Sequence, residues 1–239
     1  MFIEDEAIVL STSKYGESSA VLVMLTRDHG VFHGMVKYVH SKKNRSLYQP
    51  GNRLRIHWQA RLLEHLGTIS AEMVEDIASC VLGDHQAIHV LGSMAALLAT
   101  ALPERDPNPE LFETSWALLK ALKTQKRWPS SYVELEMKLL QDSGFGLDLS
   151  SCAVTEKTDD LVYISPKTGR AVSREAGKPY HDRLLPLPRA CIDISCADES
   201  QEQLREALSV MAFFLTKNIY MPRNRELPLA RMRLQEMVK

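Results

Sequence analysis

Acidic residues are missing from one stretch of this chain. Between Met35 and Arg61 there is no Asp or Glu, although the 239-residue chain carries 30 acids against 29 Lys and Arg. An even scatter would place about three acids in that window. Instead it holds seven cations, Lys37, Lys42, Lys43, Arg45, Arg53, Arg55 and Arg61. A strand-rich segment that excludes acids in a nearly neutral protein is expected to present one polarised surface, and such a surface attracts a polyanion, most often nucleic acid.

Other absences narrow the field. Cysteine is scarce: Cys80, Cys152, Cys191 and Cys196 show no CxxC spacing, which excludes a disulfide framework and leaves reduced thiols of a cytoplasmic protein as the simplest reading. Long hydrophobic runs are lacking too. The most apolar stretch, Ala87 to Leu102, is interrupted by His89 and falls short of the roughly 20 residues a membrane span needs. The first residues, Met-Phe-Ile-Glu-Asp-Glu, are acidic where a secretory signal is basic, so export is not expected. A pI near 6.7 excludes a bulk electrostatic binder, so any contact with nucleic acid must be local.

Catalytic signatures are missing as well. There is no GxSxG, no phosphate-cradling glycine loop and no HExxH, and the chain reads as a non-enzyme. His29 and His33 stand four apart in a strand, about 13 Å, and cannot share an ion. His85 and His89 share one helix face beside Asp84, but Gln86 stands where a zincin helix has its glutamate. Partly exposed helix histidines are the safer reading. No cofactor is implied.

What is present is a change of period. Ala7–Leu10, Ala20–Thr26, Val31–Val39, Arg53–Gln59 and Gly67–Glu72 read as five short strands, with Gly30 suited to the positive φ of a hairpin turn. The clearest alternation puts Leu54, Ile56 and Trp58 toward a core and Arg53, Arg55, His57 and Gln59 on the other face. Arg53 and Arg55 then lie about 7 Å apart on one side. The segment Lys42-Lys43-Asn44-Arg45-Ser46 reads as a polar loop, and Tyr38, Tyr48 and His57 as possible stacking surfaces for bases. Five strands in some 75 residues suggest a small closed barrel of the oligonucleotide-binding (OB) type.

From Met73 the period is helical. Helices are expected over Met73–Leu82, His85–Leu102, Glu110–Lys123, Ser130–Ser143, Glu199–Tyr220 and Leu227–Val238. A small hairpin, Leu161–Ile164 with Arg170–Val172, interrupts them. The fold class is α+β: an OB barrel over 1–78, then a mainly helical domain over 79–239 with a hairpin module at about 147–181. Arg223, Arg225, Arg231 and Arg233 form a second cationic cluster, read as ordinary surface charge.

These motifs, in this order, resemble the bacterial RecO family of DNA repair and recombination mediators. The carriers are Tyr15-Gly16-Glu17-Ser18-Ser19, Leu25-Thr26-Arg27-Asp28-His29-Gly30, the basic run into Leu47-Tyr48-Gln49-Pro50, Leu66-Gly67-Thr68-Ile69, Ser143–Leu149 and Ser165–Val172. The resemblance spans nearly the whole chain. It implies binding of single- and double-stranded DNA, annealing of complementary strands, and partnership with RecR in replacing single-strand-binding protein (SSB) by RecA on gaps. Contact with the SSB tail and a nucleoid-associated, cytoplasmic location are implied with it. DNA is then expected on Lys37, Lys42, Lys43, Arg45, Arg53, Arg55, Arg61 and His57, with Tyr38 and Tyr48 beside them. Many relatives carry four cysteines as two CxxC pairs in the hairpin module, whereas here Cys152 is joined by Thr155, Ser173 and Ala176. Zinc is therefore not expected. An RNA-binding OB protein and an interaction scaffold with incidental DNA contact are the alternatives.

Overall fold

A computed structural model describes residues 1–39, 41–124 and 127–238, with Lys42 and Lys43 described in backbone only. The chain forms two compact units, Met1–Lys126 with Pro228–Leu234, and Arg127–Leu227 with Gln235–Lys239.

The first unit is built on β1 (Phe2–Tyr15), β2 (Ser19–Thr26), β3 (Gly30–Val36), α1 (Lys42–Leu47), β4 (Arg53–Gln59) and β5 (Thr68–Glu75). Their order, β1-β2-β3-β5-β4 with β4 back on β1, closes a five-stranded barrel. All pairings are antiparallel except β3–β5, a thin seam made by the single parallel pair Met35–Thr68. The expected alternation holds on β4, where Leu54, Ile56 and Trp58 are fully buried. They meet Ala7, Val9, Leu22, Met24, Phe32 and Ile69 in one apolar core. Two glycines are required by close approach. A Cβ on Gly30, at φ +69°, would lie 2.1 Å from the Asp106 carbonyl oxygen, and one on Gly67, at φ +63°, 2.3 Å from the Trp58 indole nitrogen.

Three local expectations are corrected. β1 is far longer than Ala7–Leu10, because it serves two partners. Its first half, Phe2 to Ile8, pairs with β4, and the stretch from Ala7 to Tyr15 pairs with β2. The Lys42–Ser46 run is not a loop: Ser41 caps it as α1, its hydroxyl accepting from the Asn44 amide at 3.3 Å. Met73 does not open a helix, since β5 continues to Glu75 through the pairs Leu54–Met73 and Arg53–Glu75. Only the short α2 (Ala78–Val81) follows.

α3 (His85–Ala101) and α4 (Pro109–Thr124) complete this unit, α3 packing on β1 and β2. Buried Asn52 fastens α1 to the chain beyond β5. Its amide nitrogen donates to the Ser46 and Leu47 carbonyls at 2.8 and 3.3 Å, while its oxygen accepts from the Ile77 and Ala78 amides at 3.0 and 2.9 Å. Every polar valence it offers there is used, the condition for burying an amide without loss.

The second unit holds α5 (Trp128–Asp142), β6 (Leu161–Ile164), β7 (Ala171–Ser173), α6 (Arg174–Gly177), β8 (Leu185–Pro186), α7 (Arg189–Ile192), α8 (Cys196–Glu199) and α9 (Gln201–Leu215). The expected hairpin is the core of a three-stranded sheet ordered β7-β6-β8, whose two-residue third strand is too short to read from sequence. α9 packs against α5, α7 and α8 through Leu204, Leu208, Met211 and Leu215, the stripe its spacing predicts. The single long helix expected to Tyr220 is a chain of three pieces, α8, α9 and a π turn at Thr216–Tyr220, because Ser200 is extended and caps α9. The last helix, α10 (Leu229–Met237), is divided between the units.

Candidate nucleic-acid interface

The outer face of β4 carries Arg53, Arg55 and His57, as the alternation requires. Their neighbours, however, come from other strands. Across β1 the pairs are Glu6–Arg55 and Glu4–His57, and across β5 they are Glu72–Arg55 and Glu75–Arg53. A segment without acids in sequence is thus flanked by four carboxylates in space.

Arg53 is already engaged within its own unit. Its guanidinium donates twice to the Glu6 carboxylate, Nε at 3.0 Å, and lies 4.7 Å from the Trp116 ring centre and 5.6 Å from that of Phe112. Held between a carboxylate and two aromatic faces of α4, it ties the helix to the barrel. The expectation that Arg53 meets phosphate is corrected on that ground. Tyr48 is corrected too: it is 5% exposed and belongs to the barrel core, and burial pushes its hydroxyl pKa upward. Little of its ring is open, although it is among the residues lining the two clefts described below. His57 is half-buried, with the Glu4 carboxylate 3.7 Å from Nδ1. Arg55 is exposed and, among the described residues, has no carboxylate in ion-pair range, but it stands between Glu6 and Glu72.

The rest of the basic window has a different surrounding. Lys37, Tyr38 and Arg45 are exposed at one end of the barrel, where β3 crosses through α1 to β4. Asn44 donates its side-chain amide to the carbonyls of Lys37 at 3.2 Å and Tyr38 at 3.1 Å, fixing that crossing. Tyr38 is held at φ +54°, a left-handed conformation that costs a bulky residue of order 1 kcal/mol and is met most often at working sites. Its ring is 69% exposed. The side chains of Lys42 and Lys43 lie outside the described residues, while their backbone places both on α1. Arg61 is exposed in the β4–β5 connection.

Lys14, which the sequence did not single out, and Tyr15 join this end. They sit at the tip of the β1–β2 hairpin, and the hairpin is bonded to the crossing twice. The Val39 amide donates to the Ser18 carbonyl at 3.0 Å, and the Thr12 hydroxyl to the Tyr48 carbonyl at 2.6 Å. A cleft of about 330 Å³ results, with Lys14 and Arg45 among its lining residues beside Thr12, Val39 and Pro50. A larger cleft of about 490 Å³ has Lys37, Asn44, His57, Gln59 and Phe2 in its wall. Among the described residues no carboxylate lies within 4 Å of Lys14, Lys37 or Arg45. The sequence signal for Lys14 was only its place next to Tyr15-Gly16; nothing linear links it to Arg45.

Elsewhere the candidates dissolve. Asp84 spends its carboxylate capping α3, accepting from the Ala87 amide at 3.0 Å, and His85 and His89 stack edge to face at 4.5 Å. Arg223, Arg225 and Arg233 are exposed, but Arg231 is fully buried, so the C-terminal cluster is not one surface. All four cysteines are unpaired. The residues that the resemblance sets against two CxxC pairs, Cys152, Thr155, Ser173 and Ala176, do not fit a metal. Cys152 is buried, its sulfur 3.4 Å from the Ser173 hydroxyl and accepting from the Ser173 amide at 3.3 Å. Burial opposes its thiolate, but hydrogen bonds from the side chains and amides of Ser173 and Thr155 outweigh it and bring the pKa from 9 to about 6. Ala176 has no donor to offer. Hydroxyls and amides occupy the place of a metal's coordination.

Comparison with known proteins bears on the whole chain. The family model described as "Recombination protein O N terminal" matches residues 1–77, and "Recombination protein O C terminal" matches residues 82–227. A DNA repair protein RecO of Rhodospirillum centenum is 44% identical over 231 residues, covering 96% of this chain and 91% of the relative. Proteins of the same name from Caulobacter vibrioides and Cereibacter sphaeroides are each 42% identical, over 96% and 98% of this chain and 94% and 97% of theirs.

Proposed function

Because this chain belongs to the RecO family of DNA repair proteins, we propose that it is a DNA-binding recombination mediator that works without covalent chemistry. Residues 1–78 are its DNA-binding part, and the phosphates lie across the α1 end of the barrel. One observation carries this reading. Three separate segments, the β1–β2 hairpin, the end of β3 and α1, converge on that end, and each brings an exposed cation, Lys14, Lys37 and Arg45, with no ion pair to a carboxylate among the described residues. Lys42 and Lys43 belong to α1 by their backbone, and the exposed Arg61 to the same acid-free window. Tyr38 and Tyr15 offer exposed rings for bases.

The mechanism that follows is electrostatic. Two complementary strands repel through their phosphates, and a cationic surface that holds one strand lowers the cost of bringing up the second. Annealing then needs no catalytic group. With about four to six phosphates neutralised, log affinity for a single strand falls against log salt with a slope of about −3 to −4. Joining RecR, touching the SSB tail and helping RecA onto gaps belong to the same reading and rest on family membership. No helix among the described residues is long and apolar enough to cross a membrane.

A salt-titrated series with single-stranded, duplex and RNA oligonucleotides tests the proposal. The expected result is steep salt dependence on DNA without preference for RNA. Binding that favours matched RNA, or that lacks salt dependence, would overturn it, since a reader of the 2′-hydroxyl prefers RNA.

A further inference from the structure

Beside the cationic end, the larger cleft has a feature that phosphate binding leaves unexplained. Phe2 and His57 stand on adjacent strands of the outer face, diagonal to one another, with ring centres 5.8 Å apart and planes inclined by only 22°. This is a stacked pair on a surface, since Phe2 is 63% exposed. Its open face is available to stack on a further flat ring. The cleft it borders, about 490 Å³, falls in the range of about 300–1,000 Å³ that accommodates a small planar ligand. Its wall changes character across its width: Phe2 and His57 on one side, Lys37 on the other, with the amide of Gln59 and the hydroxyls of Thr68 and Ser70 between.

We infer that this cleft docks one unpaired base of a DNA single strand, stacked on the Phe2–His57 pair, while its phosphate faces Lys37. The charges decide the orientation. Glu4 stands 3.7 Å from the His57 ring and repels a phosphate there, but it does not oppose the π-face of a neutral base. Lys37 stands in the wall with no ion pair among the described residues and takes the anion. Gln59, Thr68 and Ser70 offer both donors and acceptors, which suits any base edge and gives no strong sequence preference. A base inside a duplex is stacked on its neighbours and cannot enter, so the cleft favours single strands over duplex. The inference rests on the DNA reading above and adds to it a defined subsite for one base and a residue, Phe2, that the charge argument never used.

The test compares three probes of equal length: oligo-dT, an abasic single strand with the same phosphates, and duplex DNA. Phe2→Ala should lose about tenfold in affinity for oligo-dT, the scale of one base–aromatic stack, with less than about twofold loss on the other two. Phe2→Trp should restore oligo-dT binding, and its fluorescence should be quenched by oligo-dT but not by the abasic strand. Equal losses on all three probes, or no loss on oligo-dT, would overturn the base-docking inference. Arg45→Glu, in parallel, should weaken all three. If it does while Phe2→Ala changes nothing, base docking alone fails; if Arg45→Glu changes nothing, the cationic end itself is not the DNA surface.

Discussion

The outer face of β4 and the crossing from β3 through α1 come from one acid-free window, yet folding gives them opposite electrostatics. On β4 the neighbours of each cation are cross-strand residues, and β1 and β5 supply Glu4, Glu6, Glu72 and Glu75. At the crossing, the neighbours are other parts of the same window and a hairpin tip carrying Lys14. A run of like charge therefore predicts a surface field only where local sequence is also local space. Strands in a sheet violate that condition. A short helix at the end of a barrel meets it far better.

The largest effect that would break this contrast is on binding. The double reversal Lys37→Glu with Arg45→Glu should lower affinity for a DNA single strand by about tenfold or more near 0.1 M salt, read by fluorescence anisotropy. Unchanged affinity would remove the distinction between the two regions. Arg53 sharpens it from the other side. Arg53→Met should cost about 2 kcal/mol of stability in denaturant unfolding, through the lost Glu6 pair and the lost contacts with Trp116 and Phe112, while DNA affinity of the folded protein stays within about twofold. A stable variant with impaired binding would return Arg53 to the interface.

Arg55→Glu is expected to matter less than its exposure suggests, changing affinity by no more than about threefold, because Glu6 and Glu72 already flank the position. On DNA affinity the smallest effect is expected from the second unit, where the consequence is for stability and depends on pH. Cys152 is held at about 6 in the folded chain and titrates near 9 when exposed, so the unfolded chain binds more protons between those values. The stabilisation is complete above about pH 9 and is lost as pH falls through about 6. Cys152→Ser should remove that dependence, so the melting-temperature difference from the parent chain grows from pH 6 to pH 9. A constant difference, or stoichiometric zinc found by metal analysis, would contradict this account of the site.

Much of the fold was legible because burial writes a period into the chain. Leu54, Ile56 and Trp58 marked the barrel face of β4, and α3, α4 and α5 were found within a residue or two of their ends. What resisted had no period to show. β1 carries Glu4, Asp5 and Glu6 near its start, which hide its apolar alternation, α1 is polar on nearly every side and depends on the Ser41 cap, and β8 is two residues held by its neighbour. The candidate site was legible as composition but not as position. Lys37 and Arg45 were named by charge alone, whereas the loss of Arg53 to Glu6, the burial of Tyr48 and the arrival of Lys14 and Phe2 depend on register and closure. A linear pattern carries neither.

The central claim, that phosphates lie on the α1 end and not along β4, is tested most directly by salt slopes measured side by side. For the parent chain the slope on a single strand is expected near −3 to −4; Lys37→Glu with Arg45→Glu should make it shallower by about 1–2, and Arg55→Glu should leave it unchanged. A slope that flattens for Arg55→Glu and stays steep for the double reversal would put the DNA back on β4.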